Sequence, residues 1–159
     1  MEPTRAQAWE TLTRYTTSEA LLRHALAVEA SVRSYARRYG EDEELWGCVA
    51  LLHDFDYEIH PTLDRHPQDG APILREEGYP EVVIRAVLSH AEHLELPRET
   101  QLEKVLFACD ELSGFVQACG LVRPTGLDGL ELDEHIANVV AAMQPIASEL
   151  GLRTAADAA

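Results

Sequence analysis

The stretch Leu45-Trp46-Gly47-Cys48-Val49-Ala50-Leu51-Leu52-His53-Asp54 decides how this chain reads. Residues 45–52 are apolar almost throughout, which suits a helix enclosed by its neighbours rather than one with a single wetted face. The segment spans residues 43–54 and ends on a His-Asp pair. Two metal-competent side chains at the end of a central helix need partners from elsewhere, and the chain offers His24 upstream and His66, His90 and Asp110 downstream.

On the N-terminal side, Thr4 and Gln7 make a capping-box pattern ahead of Trp9 and Leu12. A longer segment closed by Gly40 carries the apolar stripe Leu21, Ala25, Val28, Val32, Tyr35 and Tyr39, with His24 on it. On the C-terminal side, residues 55–65 lose the period, with Pro61 and several charges, and read as a loop over the helix end. Asp56, Tyr57 and Glu58 fall in that loop, where a carboxylate suits proton relay and a tyrosine suits substrate contact. Pro67 suits the first position of a short helix ended by Gly78, and Pro80 opens the next, with Val83, Val87 and His90 on one face.

Thr100 and Glu103 form a second capping box. The helix they start turns Leu102, Val105, Leu106, Cys109, Leu112 and Val116 inward, with Asp110 beside the stripe and Gly120 as its end. Residues 121–131, with Pro124, Gly126 and Gly129, form a turn-rich connection to a last helix over about residues 133–150, kinked at Pro145, before a frayed tail. The expected fold is therefore all-α, a single compact domain over residues 1–159 with about six or seven helices and a motif-bearing core over residues 21–124.

At 159 residues, 46% of them hydrophobic and 26% charged, the chain can bury a core without disulfide support. No apolar run approaches the roughly 20 residues of a membrane span, and residues 1–10 are polar, without a signal-peptide core. Cys48, Cys109 and Cys119 are odd in number and lie in apolar helical contexts, so reduced, buried thiols and a cytoplasmic location are expected. The net charge of −15, with Lys104 as the single lysine, predicts a small-molecule substrate and no binding of a nucleic-acid backbone or a membrane. A homo-oligomer is compatible with this composition.

Imidazole and carboxylate ligands together suit a divalent transition metal such as iron, manganese, cobalt, nickel or zinc. His24, His53, Asp54 and Asp110 make one set, and adding His66 and His90 provides enough donors for a second ion, with Asp54 able to bridge the pair. Arg65, Arg85, Arg98 and Lys104 are the candidates for holding a phosphate. His60, His93 and His135 read as surface residues.

The motif formed by His24, His53-Asp54 and Asp110 resembles that of the HD-domain superfamily, and the likeness extends from residue 21 to residue 124. It includes Val49-Ala50-Leu51-Leu52 before His-Asp, His66-Pro67 followed by Gly70-Ala71 and Ile73-Leu74, and the stretch Leu106-Phe107-Ala108-Cys109-Asp110-Glu111-Leu112-Ser113-Gly114-Phe115. The chain looks most like small, stand-alone HDIG-type hydrolases. That resemblance implies a helical fold, one or two metal ions held by His24, His53, Asp54, His66, His90 and Asp110, and hydrolysis of a small phosphorylated or nucleotide-like substrate by metal-activated water, with Asp54 central. Substrate contacts would fall to Asp56, Tyr57, Arg65 and Lys104.

Three departures stand out. Phe55-Asp56 replaces the Ile-Gly of the HDIG motif, Ala91 follows His90 where two-metal members often pair histidines, and the segment after Arg123-Pro124 lacks lysines. A branch of the superfamily uses the same ligands for a mixed-valent di-iron oxygenase, which is the alternative activity. A non-catalytic ligand-binding module is the third reading.

Overall fold

The computed structural model describes residues 3–122 together with Glu134, Ile136, Ala137, Ala141 and Ala142, and side chains within 3–122 as far as residue 116. The chain divides into two compact units, Met1–Gln117 and Ala118–Ala159. The helices are α1 (Arg5–Tyr15), α2 (Glu19–Tyr39), α3 (Glu43–Leu52), α4 (Gly70–Glu76), α5 (Glu81–His90) and α6 (Gln101–Val122), with a short 3₁₀ turn at Glu92–Leu94. Among the described residues there is no strand, so the fold is all-α as expected. Of the last predicted helix, Glu134, Ile136, Ala137, Ala141 and Ala142 are helical; its other residues, Pro145, His135, Cys119's side chain and the tail lie outside the described residues.

In α3 every residue from Trp46 to Leu52 is buried, and it packs against α1, α2 and α5. An apolar run buried on all sides needs polar groups only at its ends, and Asp42 supplies the first by accepting from the Glu44 and Leu45 amides. Both capping boxes form. Thr4 and Gln7 close the start of α1, and Glu103 accepts from the Thr100 amide at the start of α6. Gly40 ends α2 at φ 72°, a left-handed conformation that glycine adopts without a Cβ penalty. Cys48 and Cys109 are free, buried thiols, and burial pushes the Cys48 thiol up to about 12.

Several local expectations shift. The buried face of α2 runs Ala25, Val28, Val32, Ala36, while Tyr35 and Tyr39 are exposed and stack on each other. Eleven residues are three turns plus about 20°, which places Ala36, and not Tyr35, above Ala25. Glu29 shares this face, buried between Arg5 and Arg33 at 2.7 and 2.8 Å. The helix expected from Pro67 starts at Gly70, with residues 63–69 in turns. In α6 the stripe leaves the core after Cys109: Leu112 is exposed, because Ser113 takes the side towards α2 and meets Ser31 at 3.1 Å. The helix continues through Gly120 to Val122.

Candidate metal centre

Five segments converge on one point. His24 comes from the second turn of α2, His53 and Asp54 from the end of α3, His66 from the turns before α4, His90 from the last position of α5 and Asp110 from the middle of α6. Glu58 secures the start of α2 by accepting from the Thr17 and Ser18 amides and the Thr17 hydroxyl, so this expected mouth-loop acid serves as a helix cap.

Asp54 stands at the centre with its two oxygens divided. Oδ2 lies 3.4 Å from His53 Nε2 and 3.9 Å from His24 Nε2, while Oδ1 lies 3.1 Å from His66 Nε2 and 3.3 Å from His90 Nε2. Asp110 Oδ1 completes the first side at 2.9 Å from His24 Nε2 and 3.4 Å from His53 Nε2. Two groups therefore have donor atoms close enough together to hold an ion, His24-His53-Asp54 and Asp54-His66-His90, and Asp54 belongs to both.

The outer ring nitrogens show what the inner ones can do. His53 Nδ1 lies 2.7 Å from Ala50 O, His90 Nδ1 faces Val87 O, and His66 Nδ1 lies 2.8 Å from Asp56 Oδ1. Each of these acceptors takes the Nδ1–H, which leaves the neutral ring with its lone pair on Nε2. The Nε2 lone pairs then face carboxylate oxygens, acceptor against acceptor, an arrangement that a cation between them resolves. The residues present thus fit a divalent ion by their donor chemistry as well as by position.

Without a metal, protons take that place. Burial opposes the charged His53 ring, but Asp54 and Asp110 raise its pKa well above the ordinary value. His66 behaves alike: burial lowers its pKa, and Asp54 and Asp56 outweigh this to bring it to about 9. Burial works against the Asp54 and Asp110 carboxylates, yet the facing histidines hold both well below the usual carboxylate range.

The remaining candidate residues divide. Tyr57, expected to contact substrate, is 42% exposed with its ring edge-on to His66 at 5.2 Å. Asp56 is not at the mouth; it is fully buried, with Oδ1 on His66 and Oδ2 on His60, so the expected loop acid faces inward. His60, expected on the surface, is buried with it, whereas His93 is exposed. The spacing of Asp56 and His60, four residues apart, and the acid at the glycine position of the HDIG motif were the available signals.

The three arginine candidates are engaged in other contacts. Arg65 pairs with Asp69 at 2.8 Å, Arg85 with Glu103 at 2.9 Å, and Arg98 donates to Ser89 O at 2.9 Å and lies over Phe107; Lys104 is exposed on α6. Among the described residues, no ion pair joins an arginine or lysine to His24, His53, Asp54, His66, His90 or Asp110.

The model of one family, the HD domain, matches residues 21–114, a range that takes in all six converging residues. The chain belongs to the HD-domain family. Among curated proteins, this HD-domain chain is similar to ribonuclease Y of Nitratidesulfovibrio vulgaris, 32% identical over 104 residues, or 64% of this chain and 20% of that protein. It is also similar to ribonuclease Y of Lactobacillus acidophilus, 29% identical over 103 residues, which cover 63% of this chain and 19% of the relative. Ribonuclease Y of Oleidesulfovibrio alaskensis is 29% identical over 98 residues, 61% and 18% of the two chains. The chain therefore spans about a fifth of the length of these relatives. No solved structure matches it significantly.

These relatives correct one expectation. The net charge of −15 was taken to exclude a nucleic-acid backbone, yet proteins named ribonucleases match 63–64% of this chain. Net charge sums over the whole surface, whereas a phosphate meets only the local field at the site, which bound cations can reverse. No described helix is long and apolar enough to cross a membrane.

Proposed function

We infer that this HD-domain protein is a metal-dependent phosphohydrolase, in which His24, His53, Asp54 and Asp110 hold one divalent transition-metal ion and Asp54, His66 and His90 help hold a second. The observation that carries this reading is the division of the Asp54 carboxylate, Oδ2 towards His53 and Oδ1 towards His66 and His90. When bound, such ions polarise a phosphoryl oxygen and lower the pKa of a bound water towards neutrality. Asp54 keeps the two donor groups in register, and the outer hydrogen bonds of His53, His66 and His90 aim their Nε2 lone pairs inward. Tyr57, exposed with its ring edge-on to His66, is the candidate for substrate contact.

The substrate class is a phosphoric ester. A small phosphorylated or nucleotide-like molecule fits, and so does a phosphodiester of RNA, since the curated relatives are ribonucleases by name. Of the basic candidates, Arg65, Arg85 and Arg98 are engaged in other contacts and Lys104 is exposed on α6, so the reading gives the ions the main part in neutralising the phosphate.

The test is a panel of phosphomonoesters, cyclic and linear nucleotides and short RNA, offered to protein loaded in turn with manganese, cobalt, nickel, zinc and iron, with Asp54→Asn as control. Hydrolysis of at least one ester, lost in the variant, is expected. No hydrolysis of any ester by loaded protein would overturn the reading, and iron-dependent oxygen uptake in its place would favour the oxygenase chemistry.

A further inference from the structure

The second donor group depends on His66, and His66 is held differently from the other rings. His53 and His90 direct Nδ1 at carbonyls of their own helices, Ala50 O and Val87 O, which no side-chain replacement removes. His66 stands in turns, without a helix to orient it, and its Nδ1–H is met by a side chain, Asp56, at 2.8 Å.

Asp56 is itself constrained on three sides. Its other oxygen accepts from His60 Nδ1 at 3.1 Å, so one carboxylate spans two rings, and Asp56 and His60 are both buried. On the third side is Gly70, the first residue of α4, where a Cβ would come within 2.6 Å of Asp56 Cγ and 2.7 Å of Oδ2. Real Cβ atoms do not approach so closely, so the space that Asp56 occupies exists because residue 70 has no side chain. Among the described residues, the ion pairs of Asp56 are those with His60 and His66. Burial of a carboxylate is costly unless it is fully hydrogen-bonded, which makes the placement specific.

We propose that Asp56, clamped between His60 and His66 in the space left by Gly70, is the positioning residue that sets occupancy of the second ion pocket formed by Asp54, His66 and His90. It touches neither ion nor substrate and acts through the His66 ring, fixing the tautomer and angle that put Nε2 towards Asp54 Oδ1. The first pocket, His24-His53-Asp54 with Asp110, has no such dependence. The inference rests on the two-ion reading above.

The test uses full-length protein stripped with chelator and titrated with Mn2+, following ions per chain by elemental analysis, the two dissociation constants by calorimetry and the spin-coupled Mn(II) pair by electron paramagnetic resonance. Folding is followed by circular dichroism. Wild type binds two ions; Asp56→Ala keeps the first at wild-type affinity, weakens the second about 10–100-fold, the usual scale for loss of a ligand's outer hydrogen bond, and loses the coupled signal. Asp56→Asn, whose Oδ1 still accepts from His66, retains the second ion. Gly70→Ala keeps every donor, displaces the carboxylate and weakens the second ion alone, so the idea stays open to test even if Asp56→Ala fails to fold. Folded Asp56→Ala or Gly70→Ala that binds two ions with wild-type affinities overturns the positioning role and leaves the two-ion reading intact. Equal loss of both ions in a folded variant overturns its selectivity, and fewer than two ions in wild type overturns the two-ion reading and this inference with it.

Discussion

His24 Nε2 lies 3.2 Å from His53 Nε2, although the two residues stand on different helices and 29 positions apart. With one His53 proton committed to Ala50 O, two facing Nε2 atoms at that separation need a second proton or a shared cation in the space between them. Asp54 and Asp110 face the same space with oxygens, so the first donor group brings together two rings and two carboxylates.

Asp54 is the residue both groups share, and its removal separates loss of metal from loss of fold. Asp54→Ala should lower metal affinity at least about 100-fold, since a direct ligand counts for more than the 10–100-fold of an outer contact. Far-UV circular dichroism should stay helical, because Asp54 lies past the end of α3 and outside the apolar core. Elemental analysis alongside a melting curve reads both; a fully unfolded variant would mark Asp54 as mainly structural.

The pH dependence of stability should change sign with metal. In chelated protein the His66 pKa rises from 6.5 to about 9, so its contribution is complete below pH 6.5 and is lost as pH rises through 9. Asp110 is lowered from 3.8, so its contribution is present above that value and is lost as pH falls through its folded pKa. Metal-free protein should therefore lose several degrees of Tm between pH 6.5 and 9, and His66→Gln should flatten that slope. In loaded protein protons compete with the ion, so Tm should rise over the same window. Parallel slopes for the two forms would contradict the assignment of His66 to the ion.

Phe55 separates His53-Asp54 from Asp56 and is completely buried, packed edge-on against Tyr15 at 5.6 Å. Phe55→Ala should cost about 3–5 kcal/mol through the cavity it leaves. Urea denaturation measures this directly, and Phe55→Leu should recover most of the loss.

Glu103 is buried and accepts from the Glu99 and Thr100 amides at 2.6 and 3.0 Å while pairing with Arg85 at 2.9 Å. Glu103→Ala should destabilise by about 1–2 kcal/mol, because the cap is lost, while the part-exposed Arg85 keeps its ion pair with Glu99. Glu103→Gln keeps an acceptor for the amides and should cost less. The effect should appear in chemical denaturation, with metal content per folded chain unchanged, since Asp110 lies two turns further along α6.

Much of the architecture was legible from residue order. The uninterrupted apolar run before His53 does mark a central helix, the Thr4-Gln7 and Thr100-Glu103 boxes do mark helix starts, and Gly40 does end α2, because each depends on contacts within a few residues. Tyr35 and Leu112 were less legible. Both lie on extrapolated stripes, and their exposure depends on which neighbours the helix meets.

The sequence by itself determined the all-α fold and the family, and it singled out six side chains as candidate metal ligands, because helix signals are local and ligand chemistry belongs to residue type. Only the tertiary structure decided that the Asp54 oxygens divide between two groups, that Asp56 turns inward to His60 and His66, and that Arg65, Arg85 and Arg98 are engaged away from the centre. Those outcomes are set by side-chain direction and by partners distant in the chain, and Gly70 shows the reason: the space that admits Asp56 is created by a missing Cβ fourteen positions away, at the start of another helix.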